Sequence, residues 1–373
     1  MRRRIAAACL LVLAPSVIAQ APLRLSASPM VTIGTSDGPE ATQLSRVFGA
    51  IRLPDGTVAI GNTTTSEIRF FDAAGKHVRT VGRAGSGPGE FGSYSSLIFY
   101  PAANEELYVP DGGNARVNVF GHDGSYRRAF RLETPGTDGM AGIAAIAGPD
   151  IVGLTLRSAA LRGAPGTRID ATYTYATFNG TGRLVRPLFD VATRSRLVHA
   201  YQGITHYPFL PFAPEAFVAA QGERIFLLRN LSPEIEVWNR AGKRVATYRW
   251  PAERIKVRTI WPRYKAAELA AATRERDKVL YGHFYEMDLP LPEYVPVASR
   301  LLVAANGSLW IERFRFPWTT ERTWDVLDQQ GRYVGAVETP DRLDVFQVGS
   351  DFLLGRWRDS DDVEQIHVYA IQR

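Results

Sequence analysis

The strongest constraint on the fold is a unit of four short strands that the sequence repeats. The clearest copy occupies residues 49–83. It holds two pairs of apolar runs, and each pair is joined by a turn signal, Pro54-Asp55-Gly56 in one and Asp72 to Gly75 in the other. The polar segment Gly61 to Ser66 separates the pairs, and Glu67 to Phe71 alternates with the period of a strand. The unit therefore predicts four antiparallel strands.

The same pattern returns along the rest of the chain. Further units occupy residues 95–133, 141–190, 216–250, 297–339 and 343–373. Four-stranded antiparallel units repeated around a ring form a six-bladed β-propeller, an all-β fold in which each unit is one blade. The length of 373 residues would also suit two average domains. One ring with insertions explains it better, so we predict a single domain over residues 22–373.

The last unit is incomplete, and this predicts how the ring closes. After residue 343 the chain has room for only three strands. Met30-Val31-Thr32-Ile33-Gly34 resembles the segment Arg79 to Gly82, which is the fourth strand of the first unit. We therefore predict that residues 29–34 complete the sixth blade. Hydrogen bonds between the two chain ends would then remove a free sheet edge.

Three segments resemble the NHL-type six-bladed β-propellers. Residues 81–91, Val-Gly-Arg-Ala-Gly-Ser-Gly-Pro-Gly-Glu-Phe, are similar to the G-x-x-G-x-G-P-G-E-F linker of that family. Residues 68–75 are similar to its repeat core, and Asp111, Asn114 and Arg116 match its D-x-x-N-x-R segment. The resemblance is good over residues 29–133 and is a matter of pattern beyond them. It implies the fold but no activity, because propellers of this broad kind include lyases, lactonases and hydrolases as well as proteins that only bind partners.

The first 21 residues have the form of a secretory signal peptide. Three arginines, Arg2 to Arg4, precede an apolar run from Ile5 to Ile18, and Ala19-Gln20-Ala21 follows. An apolar run of about 14 residues is too short to span a bilayer. We therefore expect an exported protein, periplasmic or extracellular, with no transmembrane segment in the mature chain. The single cysteine, Cys9, lies within this leader.

The charge of the chain gives little support to a nucleic-acid partner. The leader carries three arginines and no acidic residue, so the formal net charge falls from +6 to +3 in the mature chain. The remaining basic residues are scattered among acidic ones, and no nucleic-acid-binding motif is present. We expect a monomer that does not bind nucleic acid.

Long connections are concentrated on one face of the predicted ring. Turns between the first and second strands and between the third and fourth are tight, whereas the connections on the other face are long. The largest insertions are residues 191–215 and 251–296. Long insertions on one face of a repeat array mark its binding side. Within the second insertion, Tyr264 to Leu280 is rich in helix formers and predicts one short helix. That helix would either lie across the mouth of the central channel or decorate the surface.

The insertions supply the candidate binding residues. Histidines and aromatic side chains are frequent there, and the candidate face comprises His199, Tyr201, His206, Tyr207, Trp261, His283 and Tyr285. No H-E-x-x-H or His-x-His spacing is present, so no metal site is predicted and no motif requires a cofactor. No mature cysteine is present either, and catalytic residues stay unassigned. The aromatic side chains would equally serve to pack the insertions onto the blades.

Two functional hypotheses remain open at this stage. The first is an exported recognition or scaffold module that binds a protein, a peptide or a carbohydrate at the insertion-bearing face. The alternative is a hydrolase or lyase at the channel mouth, with or without a metal, for which His199, His206 and His283 are the residues to suspect. The spacing of these three side chains separates the hypotheses, because a catalytic or metal site requires them to converge.

Overall fold

The structure, a computed structural model, describes residues 23–93, 95–134, 142–158 and 163–372. The predicted signal peptide, residues 1–21, lies outside these ranges. The described residues form six four-stranded antiparallel blades in a ring, as the repeat predicts. Neither of the helices in these ranges is long and apolar enough to span a membrane.

The chain first forms two short strands and then three blades. The N-terminal strands are β1 (Arg24–Leu25) and β2 (Val31–Ile33). Blade 1 consists of β3 (Val47–Arg52), β4 (Val58–Asn62), β5 (Glu67–Phe71) and β6 (His77–Val81). Blade 2 consists of β7 (Tyr100–Ala102), β8 (Glu106–Asp111), β9 (Arg116–Gly121) and β10 (Tyr126–Phe130). Blade 3 consists of β11 (Gly142–Ala147), β12 (Asp150–Ser158), β13 (Arg168–Phe178) and β14 (Leu184–Leu197).

The remaining blades are interleaved with the two insertions. The first insertion holds the hairpin of β15 (His199–Tyr201) and β16 (Ile204–His206). Blade 4 consists of β17 (Ala216–Gln221), β18 (Arg224–Arg229), β19 (Glu234–Asn239) and β20 (Arg244–Arg249). The second insertion holds α1 (Val257–Ala271) and α2 (Glu275–Tyr285). Blade 5 consists of β21 (Ala298–Val303), β22 (Leu309–Arg313), β23 (Glu321–Leu327) and β24 (Tyr333–Pro340). Blade 6 consists of β25 (Leu343–Val348), β26 (Phe352–Arg358) and β27 (Glu364–Gln372).

The hydrophobic core lies between neighbouring blades. The first strands of the blades contact one another around the ring, so they are the innermost strands and border the central channel. Six apolar clusters fill the spaces between successive blades. Phe70 and Phe71 are both fully buried on β5, because Phe70 packs toward blade 2 and Phe71 toward blade 6. Side chains on a strand alternate between its faces, so a blade buried on both faces needs consecutive apolar residues.

The two chain ends close the ring in blade 6. Strand β2 pairs with β27 and supplies the outer strand that this blade lacks, which confirms the closure predicted from residues 29–34. Val31 pairs with Val368 and Ile33 pairs with Ile366. Strand β1 pairs with the end of the same strand, where Arg24 faces Gln372. The N-terminal segment therefore contacts β27 along most of its length.

Three boundaries differ from the sequence-based prediction. The insertion predicted at residues 191–215 begins later, because β14 continues to Leu197 through pairing with β13. The first strand of blade 2 lies at Tyr100–Ala102, not at Leu97 to Phe99, although Leu97 and Phe99 are buried. The predicted single helix is two helices, because Ala272 and Arg274 have extended backbone between α1 and α2. Glu275 and Asp277 then favour a new helix start, since acidic side chains stabilise a helix N-terminus.

Candidate functional site

The structure brings the three histidines of the insertions together. His199 and His206 face each other across the β15–β16 hairpin. Helix α2 places His283 beside them, and its ring centroid lies 5.1 Å from that of His199. The His199 and His206 centroids are 6.4 Å apart. Tyr201 completes the group, with its ring centroid 5.0 Å from that of His283. We call these four residues the histidine cluster.

The centre of the histidine cluster is shielded from solvent. His199 is 1% exposed, and its buried Nε2 atom has no hydrogen-bond partner within the described chain. Burial lowers the pKa of His199, and the neighbouring His283 and His206 lower it further. In the ranges that the structure describes, no three His, Cys, Asp or Glu side chains are arranged to hold a metal ion. The burial and the neighbouring rings favour the neutral form of His199.

The other predicted site residues lie in the packing of the insertions. Trp261 and Tyr285 contact each other edge to face with a centroid distance of 5.6 Å, and Tyr285 is 7% exposed. Both belong to the cluster that fastens the helices to the end of β14 and to the chain after the hairpin. Tyr207 is only partly exposed, and its carbonyl accepts a hydrogen bond of 2.8 Å from Arg196. The structure therefore does not unite all seven candidates in one site.

A pocket of about 350 Å³ lies where the second insertion meets blade 5. The two ends of the insertion form a neck, because Val257 donates a backbone hydrogen bond to Glu293 and Val295 donates one to Ile255. This neck forms one wall of the pocket. The opposite wall comes from the ends of β22 and β23 and from the loop between them. The pocket is thus on the face that carries both insertions.

The pocket combines apolar walls with charged groups. Its apolar side chains include Ile255, Val295, Val297, Phe314 and Phe316. Arg313 forms an ion pair of 2.8 Å with Asp325, and Arg322 lies 3.4 Å from the buried carboxylate of Glu312. Burial raises the pKa of Glu312, and Arg322 opposes that shift.

Two further carboxylates line the pocket and have no basic side chain as a partner among the described residues. Glu253 and Glu321 are exposed, and neither forms an ion pair with any described residue. Sequence reasoning missed the pocket because it joins residues 251–255 to Phe314, which comes about 60 residues later in the chain. One usable signal is the run Phe314-Arg315-Phe316-Pro317-Trp318, which places aromatic rings in a connection on the insertion face.

Comparison with known proteins agrees with the architecture. A family model described as a 6-bladed beta-propeller (DUF5128) matches residues 36–138, which span blades 1 and 2. A candidate exported protein from Bacteroides fragilis has a similar structure, with a TM-score of 0.52 and 13% sequence identity over 94% of this chain and 95% of that one. A member of the DUF4221 family from Bacteroides vulgatus gives a TM-score of 0.52 and 11% identity over 94% of this chain and 99% of that one.

These similarities concern the fold and not the chemistry. No curated protein sequence matches this chain significantly. Sequence identities this low between proteins of similar architecture carry no information about activity. The family model is of the propeller type, and the NHL-type resemblance of residues 29–133 stays a prediction. The chain thus has the fold of a six-bladed β-propeller and resembles structures from Bacteroides in that respect.

Proposed function

We propose that the protein is an exported recognition module that binds a peptide, a segment of a protein or a carbohydrate at its insertion face. The observation that carries the proposal is the pocket between the neck of the second insertion and blade 5. Its volume falls within the range of ligand pockets, which is about 300–1,000 Å³. Such a volume suits one or two side chains or a single sugar ring.

The composition of the pocket supports binding. Apolar walls with a few fixed polar groups are typical of ligand sites. The ion pairs Arg313–Asp325 and Arg322–Glu312 hold the charged groups in defined positions, so that little side-chain ordering is required when a ligand binds. The exposed carboxylates of Glu253 and Glu321 are free to accept hydrogen bonds from a ligand.

The hydrolase or lyase alternative has one supporting observation, the convergence of His199, His206 and His283. The burial of His199 weighs against it, because a general base must reach the proton that it abstracts. The causes of its lowered pKa include no carboxylate that would orient the ring as in a catalytic triad. The histidine cluster therefore supports a structural role for its central ring more strongly than a catalytic one.

Export and a monomeric state are part of the same proposal. The arginine, apolar and small-residue order of residues 1–21 supports cleavage after Ala21. N-terminal sequencing of the protein recovered from an expressing host should begin at Pro22. Recovery of the intact leader in the cytoplasmic fraction would contradict export. Light scattering of the mature chain should give the mass of a single copy.

The binding proposal is tested by filling the pocket. Thr323 lines it, and the variant T323F should abolish binding of the ligands that the wild-type protein selects from peptide and glycan arrays. The control is V245F on the outer strand of blade 4, where Val245 is 53% exposed and lies near the start of β20, the end of that strand away from the insertion face. Equal binding by T323F and V245F, with both variants folded, would refute the pocket as the binding site.

A further inference from the structure

Two perpendicular aromatic rings line the pocket between the neck and blade 5. Phe314 and Phe316 contact each other edge to face, with a centroid distance of 5.3 Å and an interplanar angle of 79°. Both are half-buried. Phe212 contacts Phe314 at 5.6 Å, and Trp318 stacks on Phe316 at 4.7 Å, so neighbouring rings hold the pair in place. We call Phe314 and Phe316 the aromatic corner.

Each of the three arginines that line the pocket has a carboxylate partner within the protein. The ion pairs are Arg313–Asp325, Arg315–Asp341 and Arg322–Glu312. Arg322 has a second partner, Asp344, at a distance of 2.6 Å. The guanidinium charges are thus compensated by neighbouring carboxylates, and the described lining of the pocket holds no unpaired cation.

Two carboxylates of the pocket have no such compensation. Glu253 lies on the side of the neck and Glu321 lies at the start of β23, on the opposite wall, and both are exposed. The described lining contains four carboxylates and three guanidinium groups, so its formal charge is negative. Carboxylates on two sides of one pocket attract the same cation, and the low dielectric of the protein walls strengthens that attraction.

The aromatic rings of this wall provide a second kind of contact for a cation. The face of an aromatic ring attracts an ammonium or guanidinium group. The protein itself uses this attraction next to the aromatic corner, because the Arg263 guanidinium of α1 lies 4.3 Å from the centroid of Trp318. Trp318 in turn stacks on Phe316, which lines the pocket. Ring faces and uncompensated carboxylates therefore favour the same ligand charge.

We propose that the ligand of this pocket is a peptide segment that inserts a lysine or arginine side chain, with Glu253 and Glu321 as the acceptors of its charged end. The long apolar stem of such a side chain packs on apolar surface while its head stays at polar groups. Ile255, Val295 and the aromatic corner supply that apolar surface. An amino sugar carries the charge but has no such stem. This inference rests on the proposed function, because it names the ligand class of the same pocket.

The test is binding of fluorescently labelled hexapeptide mixtures that differ only in one central residue, which is lysine, arginine, norleucine or glutamate. Norleucine keeps the apolar stem of lysine and removes the charge. Fluorescence anisotropy should show that the lysine and arginine mixtures bind about tenfold more tightly than the norleucine mixture, and that the glutamate mixture binds most weakly. In the double variant E253Q/E321Q the preference for lysine over norleucine should fall to about twofold. The control E105Q, an exposed glutamate in the turn between β7 and β8 on the opposite face, should keep the wild-type preference.

The variant T323F separates failure of this inference from failure of the proposed function. Loss of all binding in T323F, together with equal binding of the lysine and norleucine mixtures by wild type, would keep the pocket as the binding site and overturn its preference for a cation. Undiminished binding of the mixtures by T323F would instead refute the pocket itself. The inference is also overturned if wild type binds none of the mixtures, if E253Q/E321Q keeps the full preference for lysine, or if a glucosamine trimer binds more tightly than every peptide mixture.

Discussion

At the scale of single residues, buried polar side chains fix the connections between blades. The carboxylate of Asp111, at the end of β8, is fully buried. It accepts hydrogen bonds from the backbone of Gly92, the hydroxyl of Ser95 and the side chains of Asn114 and Arg116. Through these bonds the end of the second strand holds the linker that enters the blade. The D-x-x-N-x-R pattern is therefore a structural motif in this chain.

Asn62 and Asn230 serve the same purpose in blades 1 and 4. Asn62 accepts a hydrogen bond of 2.7 Å from the backbone of Ser45, and Asn230 accepts one of 2.8 Å from Glu215. Both belong to Asn-x-Ser/Thr sequences, yet they are only 1% and 4% exposed. Their sequence pattern alone could indicate a glycan site, whereas the structure gives them a role in the framework.

Loss of the Asp111 carboxylate should strongly destabilise the ring. We expect D111A to lower the free energy of unfolding by about 3–5 kcal/mol, because Arg116 would be left partly buried without its partner. Urea denaturation measures the change. The matched control is D361A, an exposed aspartate in the corresponding loop of blade 6, which should change stability by less than about 0.5 kcal/mol. Similar losses for both variants would contradict this role of Asp111.

The histidine cluster should make stability depend on pH. The folded-state pKa of His199 is lowered below its unfolded value of about 6.5, so the unfolded chain binds more protons in this range. The stability that neutral His199 contributes is present above the unfolded-state pKa. It is lost as the pH falls through the folded-state pKa. Wild type should therefore lose more stability than H199F between about pH 7.5 and pH 5, measured by urea denaturation.

The comparison of wild type with H199F isolates the effect of one imidazole, that of His199, on the pH dependence of stability. His367 also has a pKa that burial lowers, and it remains in both proteins. The control H77Q removes a framework histidine that contacts Thr80 and lies outside the histidine cluster. Parallel pH profiles for wild type and H199F would show that protonation of His199 does not oppose folding.

At the scale of elements, Phe212 joins both insertions to blade 5. It is 5% exposed, and its ring centroid lies 4.5 Å from that of Tyr264 on α1 and 5.6 Å from that of Phe314. Its φ angle is 58°, a conformation that costs about 1–3 kcal/mol and persists because the aromatic contacts compensate. One side chain thus orders the helices and the pocket wall together.

Removal of that ring should release the helices before the blades unfold. We expect F212A to cost about 3–5 kcal/mol locally and to speed amide hydrogen exchange in α1 and α2 while the blades keep their protection. The control is F209A in the same segment, because Phe209 is 45% exposed and contacts the Arg196 guanidinium at the surface. Unchanged exchange in the helices of F212A would show that other contacts hold them.

Strand β2 should contribute as much to the stability of the fold as any strand of the blades. Ile33 is 1% exposed and packs between blades 6 and 1. We expect I33A to lower the free energy of unfolding by about 2–5 kcal/mol, whereas M30A, at a side chain that is 53% exposed, should have little effect. Deletion of residues 22–34 should markedly lower the melting temperature. A melting temperature equal to that of the full mature chain would argue against ring closure by this segment.

At the scale of the whole molecule, the sequence predicts the ring better than the site. Each blade is a local unit, so turn signals such as Pro54-Asp55-Gly56 and runs such as Glu67 to Phe71 carry its signal within a few residues. The pocket instead depends on Ile255 and Phe314 meeting across a long insertion. Contacts of this kind exist only in the folded protein. The sequence therefore did not reveal that His199 would be buried, although the three histidines converge as the hydrolase or lyase hypothesis requires.

Pairing of β2 with β27 has a consequence for the order of events during synthesis. Strands β1 and β2 have no partner until the residues of β27, more than 300 positions later, have left the ribosome. The ring therefore stays open during synthesis, with strand β2 unpaired. Contacts of such high sequence separation form slowly. A frameshift just before β27 should be as damaging as the loss of β2, because each change removes one of the two strands that pair to close the ring.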